Sequence, residues 1–225
     1  LLNNLLPKKV LGVPKMNLAK FLIILPFSLT TACVSMSDFE KSQTQLLENS
    51  KKQKVFSNAK DAGIATKDNC LKPSGYGKWE VVISHDDKMV KQGENGVGYF
   101  KTLCFSKAQE HNELSIVGIH AGGGMGKAFF LLPRISIFDE RWNLVAQNLS
   151  QIRQNAFSGN LEAKMDLSKV KSGNHFLVIE GDNRSGKSGI GEYAQRTYAV
   201  VPIITSVEMF SLPTGKARLQ LNQKK

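Results

Sequence analysis

The sharpest chemical spacing in the chain is Gly181-Asp-Asn-Arg-Ser-Gly-Lys-Ser188, which satisfies Gly-x-x-x-x-Gly-Lys-Ser and follows an apolar run. Such a loop cradles phosphates with its backbone amides and its Lys, at the N-terminus of a helix. The surroundings do not suit that chemistry. Gly189 and Gly191 would fall in the first helical turn, where glycine is costly. The 37 residues after Ser188 hold no apolar strand ending in the Asp that would carry Mg²⁺. The stretch reads as a solvated loop between strands. Nucleotide binding stays a remote alternative, and no nucleotide and no cofactor is expected.

Other spacings are weaker. Ser57-Asn-Ala-Lys60 has the Ser-x-x-Lys form of a nucleophile and its base but lacks the Ser-Asp-Asn and Lys-Thr-Gly partners. Gly189-Ile-Gly-Glu-Tyr-Ala194 mimics a dinucleotide fingerprint without a βαβ unit. Gly122-Gly-Gly-Met-Gly126 could form an anion nest but reads as a flexible connection. His85, His111, His120 and His175 have no paired spacing, so no metal site is expected. Asp86-Asp87 beside His85 reads as a turn rather than an acid–base pair. No catalytic residue is expected, and the chain reads as a non-enzyme. Trp79 and Trp142 could each offer a stacking face to a sugar ring, Trp142 being the more exposed by its position at a turn; core or edge packing is the plainer expectation for both.

The elements that would position any site begin after Met16–Cys33. That stretch has Lys20, an apolar run from Phe21 to Leu29 broken by Pro26, and then small residues ending in Cys33. Nine residues are too few to span a bilayer, which takes about 20, so the run is a secretory signal core rather than an anchor. Residues 1–15 carry no signal logic and read as a mis-assigned extension, with Met16 the start. Residues 1–32 contain four lysines and no acid, so their removal takes the net charge from +11 to +7. A basic surface suits anionic lipid, acidic polysaccharide or nucleic acid, and export disfavours the last.

The stretch Thr30-Thr-Ala-Cys33 resembles the lipobox of bacterial lipoproteins, with Thr30 standing where Leu is usual. The resemblance implies lipidation of Cys33 and a membrane hold through lipid. Val34, in place of the Asp that favours inner-membrane retention, implies the periplasmic face of the outer membrane; a soluble periplasmic protein is the alternative. In an exported domain Cys70 and Cys104 invite one disulfide closing a loop of about 35 residues, which stabilises by ~3–4 kcal/mol. Two free buried thiols are the alternative.

Ser37-Asp-Phe-Glu40 has the form of a capping box. The polar stretch that follows, to about Ala62 with Gly63 as a stop, has apolar positions too sparse for a core helix and reads as a short helical or disordered tether. From Tyr76 the texture changes to short runs rich in β-branched and aromatic residues. These are 79–83, 99–105, 113–119, 129–138, 143–146, 161–167, 175–180, 198–204 and 217–221, with 88–98 polar and turn-rich. Such spacing predicts an all-β fold, a jelly-roll-like β-sandwich. The organisation expected is an extension (1–15), a signal (16–32), a lipidated N-terminus and tether (33–75) and a sandwich domain (76–225).

The block Gly98-Tyr-Phe-Lys-Thr-Leu-Cys-Phe, then Glu113-Leu-Ser-Ile-Val-Gly-Ile, then Pro133-Arg-Ile-Ser-Ile-Phe-Asp139, resembles the strand order of the maltose-operon periplasmic protein family. Leu161–Leu167, His175–Glu180 and the terminal Gly215–Leu221 continue it, and pre-peptidase C-terminal domains share much of it. The resemblance implies a periplasmic or lipid-tethered sandwich and carries no catalytic residues. The expected function is a non-enzymatic binding or assembly module of the envelope, with an envelope protein or polysaccharide as partner. A carbohydrate (maltodextrin)-handling accessory role is the alternative.

Overall fold

The computed structural model describes residues 34–74, 77–93, 96–124, 127–147, 150–154, 160–181, 191–197 and 203–223. Two sheets face each other across the main core. The six-stranded sheet runs in the order β1 (Val55–Phe56), β3 (Met89–Gln92), β4 (Gly96–Lys107), β12 (Gly173–Gly181), β8 (Pro133–Asp139), β9 (Leu144–Gln147). The five-stranded sheet runs in the order β10 (Ser150–Gln154), β11 (Leu161–Asp166), β5 (His111–Gly118), β15 (Gly215–Gln223), β2 (Lys78–Ile83). Every pairing in these two sheets is antiparallel except β1 with β3. A third sheet of four strands is ordered β13 (Gly191–Thr197), β14 (Ile203–Ser211), β7 (Lys127–Phe130), β6 (His120–Gly124). The fold is the all-β sandwich that the strand pattern predicts.

Side chains on a strand alternate between faces, and this periodicity builds the core. Trp79, Val81 and Ile83 of β2, Leu114 and Ile116 of β5, Ala163 and Met165 of β11, and Ala217, Leu219 and Leu221 of β15 all point inward. They meet Tyr99, Leu103 and Phe105 of β4, Ile135 and Ile137 of β8, and Leu177 and Ile179 of β12. The six-stranded sheet is apolar on its other face as well. There Val90, Phe100, Phe138 and Val178 form a second cluster with Phe56 and Ala62. That second face explains the near-continuous burial of β12 from Leu177 to Gly181, and it requires a cover.

Two helices supply covers. α1 (Met36–Lys52) starts two residues earlier than the expected capping box: Ser35, not Ser37, is the N-cap. Its hydroxyl accepts from the Asp38 amide at 3.2 Å while the Asp38 carboxylate takes the Ser35 amide at 3.0 Å. The helix does not stand off as a stalk. Phe39, Gln43 and Leu46, spaced to share one face, are buried. Phe39 packs on Phe129 and Phe210 of the third sheet, with ring centroids 5.8 and 5.3 Å away, and Leu46 joins the main core. Two large apolar residues one heptad apart are enough to dock a helix whose other faces are polar.

The far end of α1 is held by a polar clamp. Asn49 donates to the Tyr99 hydroxyl at 2.9 Å and to the His85 carbonyl at 3.2 Å. The His85 ring stands edge-on to Tyr99. Burial pushes the His85 pKa below its ordinary 6.5, against the opposing pull of Asp86, and pushes the Tyr99 phenol up.

α2 (Ala59–Thr66), capped by the Asn58 side chain on the Asp61 amide at 2.9 Å, lies on the outer face of the six-stranded sheet. Gly63, expected to stop a helix, instead sits inside this one, because only a hydrogen fits there. A Cβ at this position would lie 2.4 Å from Trp142 Cζ3. Cys70, just past a 3₁₀ turn (Lys67–Asn69), is disulfide-bonded to Cys104 of β4 with Cα atoms 5.6 Å apart. The Leu71 amide donates to the Thr102 carbonyl and the Leu71 carbonyl accepts from the Cys104 amide, and the Thr66 and Thr102 hydroxyls meet at 2.7 Å. The stretch expected as a tether thus becomes two packed covers, the second cross-linked to the sheet beneath it.

Two further expectations change. Residues 88–98, expected as a polar connection, contain β3 and the start of β4, because the consecutive residues Met89 and Val90 are buried on opposite faces. The expected strand 129–138 is broken at Leu131-Leu132, so that β7 joins the third sheet and β8 the sandwich.

Candidate functional site

The outer face of the six-stranded sheet is only partly covered by α2. Beside the helix an open cleft of ≈ 630 Å³ remains, within the roughly 300–1,000 Å³ of small-ligand sites. Alternation decides what faces it. On β8, Ile135 and Ile137 go to the core, so Arg134, Ser136 and Phe138 face the cleft. On β12, Ile179 goes inward and Glu180 outward. One wall is the N-terminus of α2, from Ser57 to Lys60, and the other is the β8–β9 hairpin with Trp142, Asn143 and Gln147.

The hairpin turn is built around Asp139. One carboxylate oxygen accepts the Arg141 and Asn143 amides at 2.9 and 2.8 Å, and the other accepts the Asn143 side chain at 2.9 Å. These bonds, the Asn143 side chain foremost, hold the Asp139 pKa below its ordinary 3.8. Trp142 occupies the turn at φ 62°, in the left-handed region a bulky residue rarely adopts. Such a conformation persists only where the surroundings enforce it. Here the Trp142 amide bonds to the Asp139 carbonyl at 2.9 Å. The indole stacks on Phe176 at 4.6 Å and 11°, leans on Phe138 at 5.6 Å, and is packed closely against Gly63 of α2. The ring is half-buried and its position is fixed from three sides.

The charge balance of the cleft is positive. Lys60 and Lys91 are exposed and Arg134 is half-buried; none of the three has an ion-pair partner among the described residues. Among the described residues Glu180 is the one carboxylate on the lining, 1% exposed, and its Oε2 accepts from Gln92 Nε2 at 3.0 Å. The Arg134 Nε is buried without a hydrogen-bond partner. An unsatisfied buried donor costs about 1–3 kcal/mol, more when charged. Neutral donors and acceptors complete the wall: Asn58, Asn143, and Gln147 donating to the Ser136 hydroxyl at 3.2 Å.

The residues singled out from sequence fall in different places. Trp142 lines this cleft, whereas Trp79 is a core residue, 3% exposed and edge-on to Phe105 at 6.0 Å. Cys33, the stretch 16–32 expected as a signal, and residues 182–188 of the phosphate-loop lookalike lie outside the described residues. Ser57 and Lys60 reach the cleft wall rather than a tether. Ser57 precedes the helix cap, so the two do not share a helical turn, and no hydrogen bond joins them. Asp87 takes the Ser84 amide at 2.8 Å and pairs with Lys101, which closes the turn at 84–87. His175 stacks on Phe105 inside the sheet. Among the described residues no group of three or more His, Cys, Asp or Glu side chains is placed to hold a metal.

Sequence reasoning missed Arg134, Lys91 and Glu180, and weighed Lys60 only as the base of a Ser-x-x-Lys pattern. The available signal was the polar alternation of Arg134 and Ser136 opposite Ile135 and Ile137 on a strand flanked by others. Comparison with known proteins finds no matching family model and no matching curated protein.

Proposed function

We propose that the chain is a non-enzymatic binding or assembly module of the bacterial envelope, exported by residues 16–32, lipid-anchored at Cys33, and binding its ligand in the cleft beside Trp142. The observation that carries the binding part is the cleft itself: an aromatic ring held at φ 62° beside amide side chains and three cations, of which Arg134 has a buried Nε without a hydrogen-bond partner. A fixed ring loses little entropy on ligand contact, which favours binding. The anchor and the outer-membrane, periplasm-facing location are supported by the layout of Met16–Cys33. Among the described residues no helix is long and apolar enough to cross a membrane. A carbohydrate-handling accessory role is the second reading, supported by Trp142 on the cleft wall and by the resemblance to the maltose-operon periplasmic proteins.

Two measurements test the proposal. Cells expressing the chain are fed a clickable fatty acid; label is expected on the wild type and lost in Cys33→Ala, and label that is absent or survives the change refutes the anchor. Indole fluorescence of the purified protein is then titrated with envelope saccharides. A signal that responds, and stops responding in Trp142→Phe, supports the cleft; indifference to every saccharide tried removes it.

A further inference from the structure

We propose that the cleft selects carboxylate-bearing saccharides, such as polymers of uronic acid, over neutral glucans, with Arg134 as the residue that takes the carboxylate. The inference rests on the cleft being the binding site and goes further by naming the chemistry of the ligand.

Three observations combine. The first is the imbalance of charge among the described residues: Lys60, Lys91 and Arg134 line one cleft against a single carboxylate, and that carboxylate, Glu180, is engaged by Gln92. The second is the unmet donor. Arg134 sits on β8 directly across from Glu180 in register, yet its Nε is buried and unpartnered. A planar guanidinium matches a carboxylate through two parallel hydrogen bonds, so a bound carboxylate would satisfy the orphan and neutralise the charge together. The third is the wall opposite. Trp142 gives an apolar ring held rigidly, and Asn143 and Gln147 give short polar arms, the combination that suits a ring of C–H faces and hydroxyl edges. A bare inorganic anion would use the cations and leave the indole idle. A neutral sugar would use the indole and leave Arg134 unpaired.

The test is a fluorescence titration of the full chain carrying Cys33→Ala, with oligogalacturonate, maltohexaose and sodium sulfate as separate probes. Oligogalacturonate is expected to shift the Trp142 emission, with affinity that falls as salt rises. Arg134→Gln should weaken it at least about tenfold, the effect of losing one charge-assisted pair. The exposed double change Lys60→Gln with Lys91→Gln should weaken it severalfold, and it decides the matter if Arg134→Gln does not fold. Maltohexaose binding as tightly as oligogalacturonate would overturn the charge selectivity while leaving the cleft as the binding site. Sulfate matching oligogalacturonate would overturn the saccharide part. No response to any of the three probes would overturn the cleft as a binding site, and this inference with it.

Discussion

Replacing Gly63 by Ala tests whether α2 is seated on the sheet as closely as the packing requires. An Ala Cβ at residue 63 would lie 2.4 Å from Trp142 Cζ3, 2.9 Å from Trp142 Cη2 and 3.0 Å from Val178 Cγ2. Carbon atoms prefer roughly 3.5–4.0 Å. The indole has no easy retreat, being stacked on Phe176 and held at its backbone by the Asp139 turn. Overpacking of this kind costs about 1–3 kcal/mol. Against it stands the gain of about 1 kcal/mol for Ala over Gly in a helix interior. The net expectation is a destabilisation of about 1 kcal/mol, read as a lower midpoint at unchanged slope in urea unfolding followed by circular dichroism. The decisive arm is the double-mutant cycle. With Trp142→Ala in place the clash is gone, and Gly63→Ala should then stabilise by up to about 1 kcal/mol, giving a coupling of about 1–3 kcal/mol. If Gly63→Ala raises the midpoint with Trp142 intact, α2 does not sit against that ring, and the described cleft wall is wrong.

Other perturbations follow from the same contacts. Cys70→Ser should cost about 3–4 kcal/mol by the chain-entropy argument for a separation of 34 residues, and reduction of the wild type with a thiol should reproduce it in thermal unfolding. Glu113 accepts from Lys164 at 2.8 and 2.9 Å, and that hydrogen bond holds its pKa below the ordinary 4.5. The folded state therefore binds its proton less readily than the unfolded chain, and the pair's contribution is present above pH 4.5 and lost as pH falls through the folded value. Glu113→Gln should accordingly be less stable than wild type at pH 7, with the gap closing in acid unfolding curves below pH 4.5. His85 is shifted down by burial, so its neutral form is the one the fold accepts. Wild-type stability should decline as pH drops below 6.5, and His85→Asn should flatten that decline in urea melts between pH 7.5 and 5. Asp139→Ala should release the hairpin turn, seen as loss of the near-ultraviolet circular dichroism of Trp142 with little change in the far ultraviolet.

The sandwich was legible because its strands carry a period of two that survives in the letters: Ile135 and Ile137, or Leu219 and Leu221, against polar alternates. What escaped is what tertiary structure decides. β3 is four residues long, and Met89 and Val90 serve opposite faces, so no alternation marks it. α1 holds two anchoring apolar residues among polar ones: Phe39 docks on aromatic rings some 90 and 170 residues downstream, and Leu46 on the main core between the sheets. For the site, Trp142 was named for its ring, but its left-handed backbone is set by the Asp139 turn, which sequence shows only as a run of polar letters. The cations of the cleft come from α2, β3 and β8, which meet only after the sheet forms.

The position of α1 also sets a reach. Val34, the residue after Cys33, already packs with Met36 against the Phe39–Phe129–Phe210 cluster. If Cys33 carries the proposed lipid, one trans peptide link, about 3.8 Å between α-carbons, is all the chain between that lipid and a packed side chain. A sandwich moored so short would lie at the bilayer surface and sample little of the space above it. Its ligands would be those that come to the membrane plane, and lengthening the link after Cys33 with a flexible insert should widen its catch without altering the cleft.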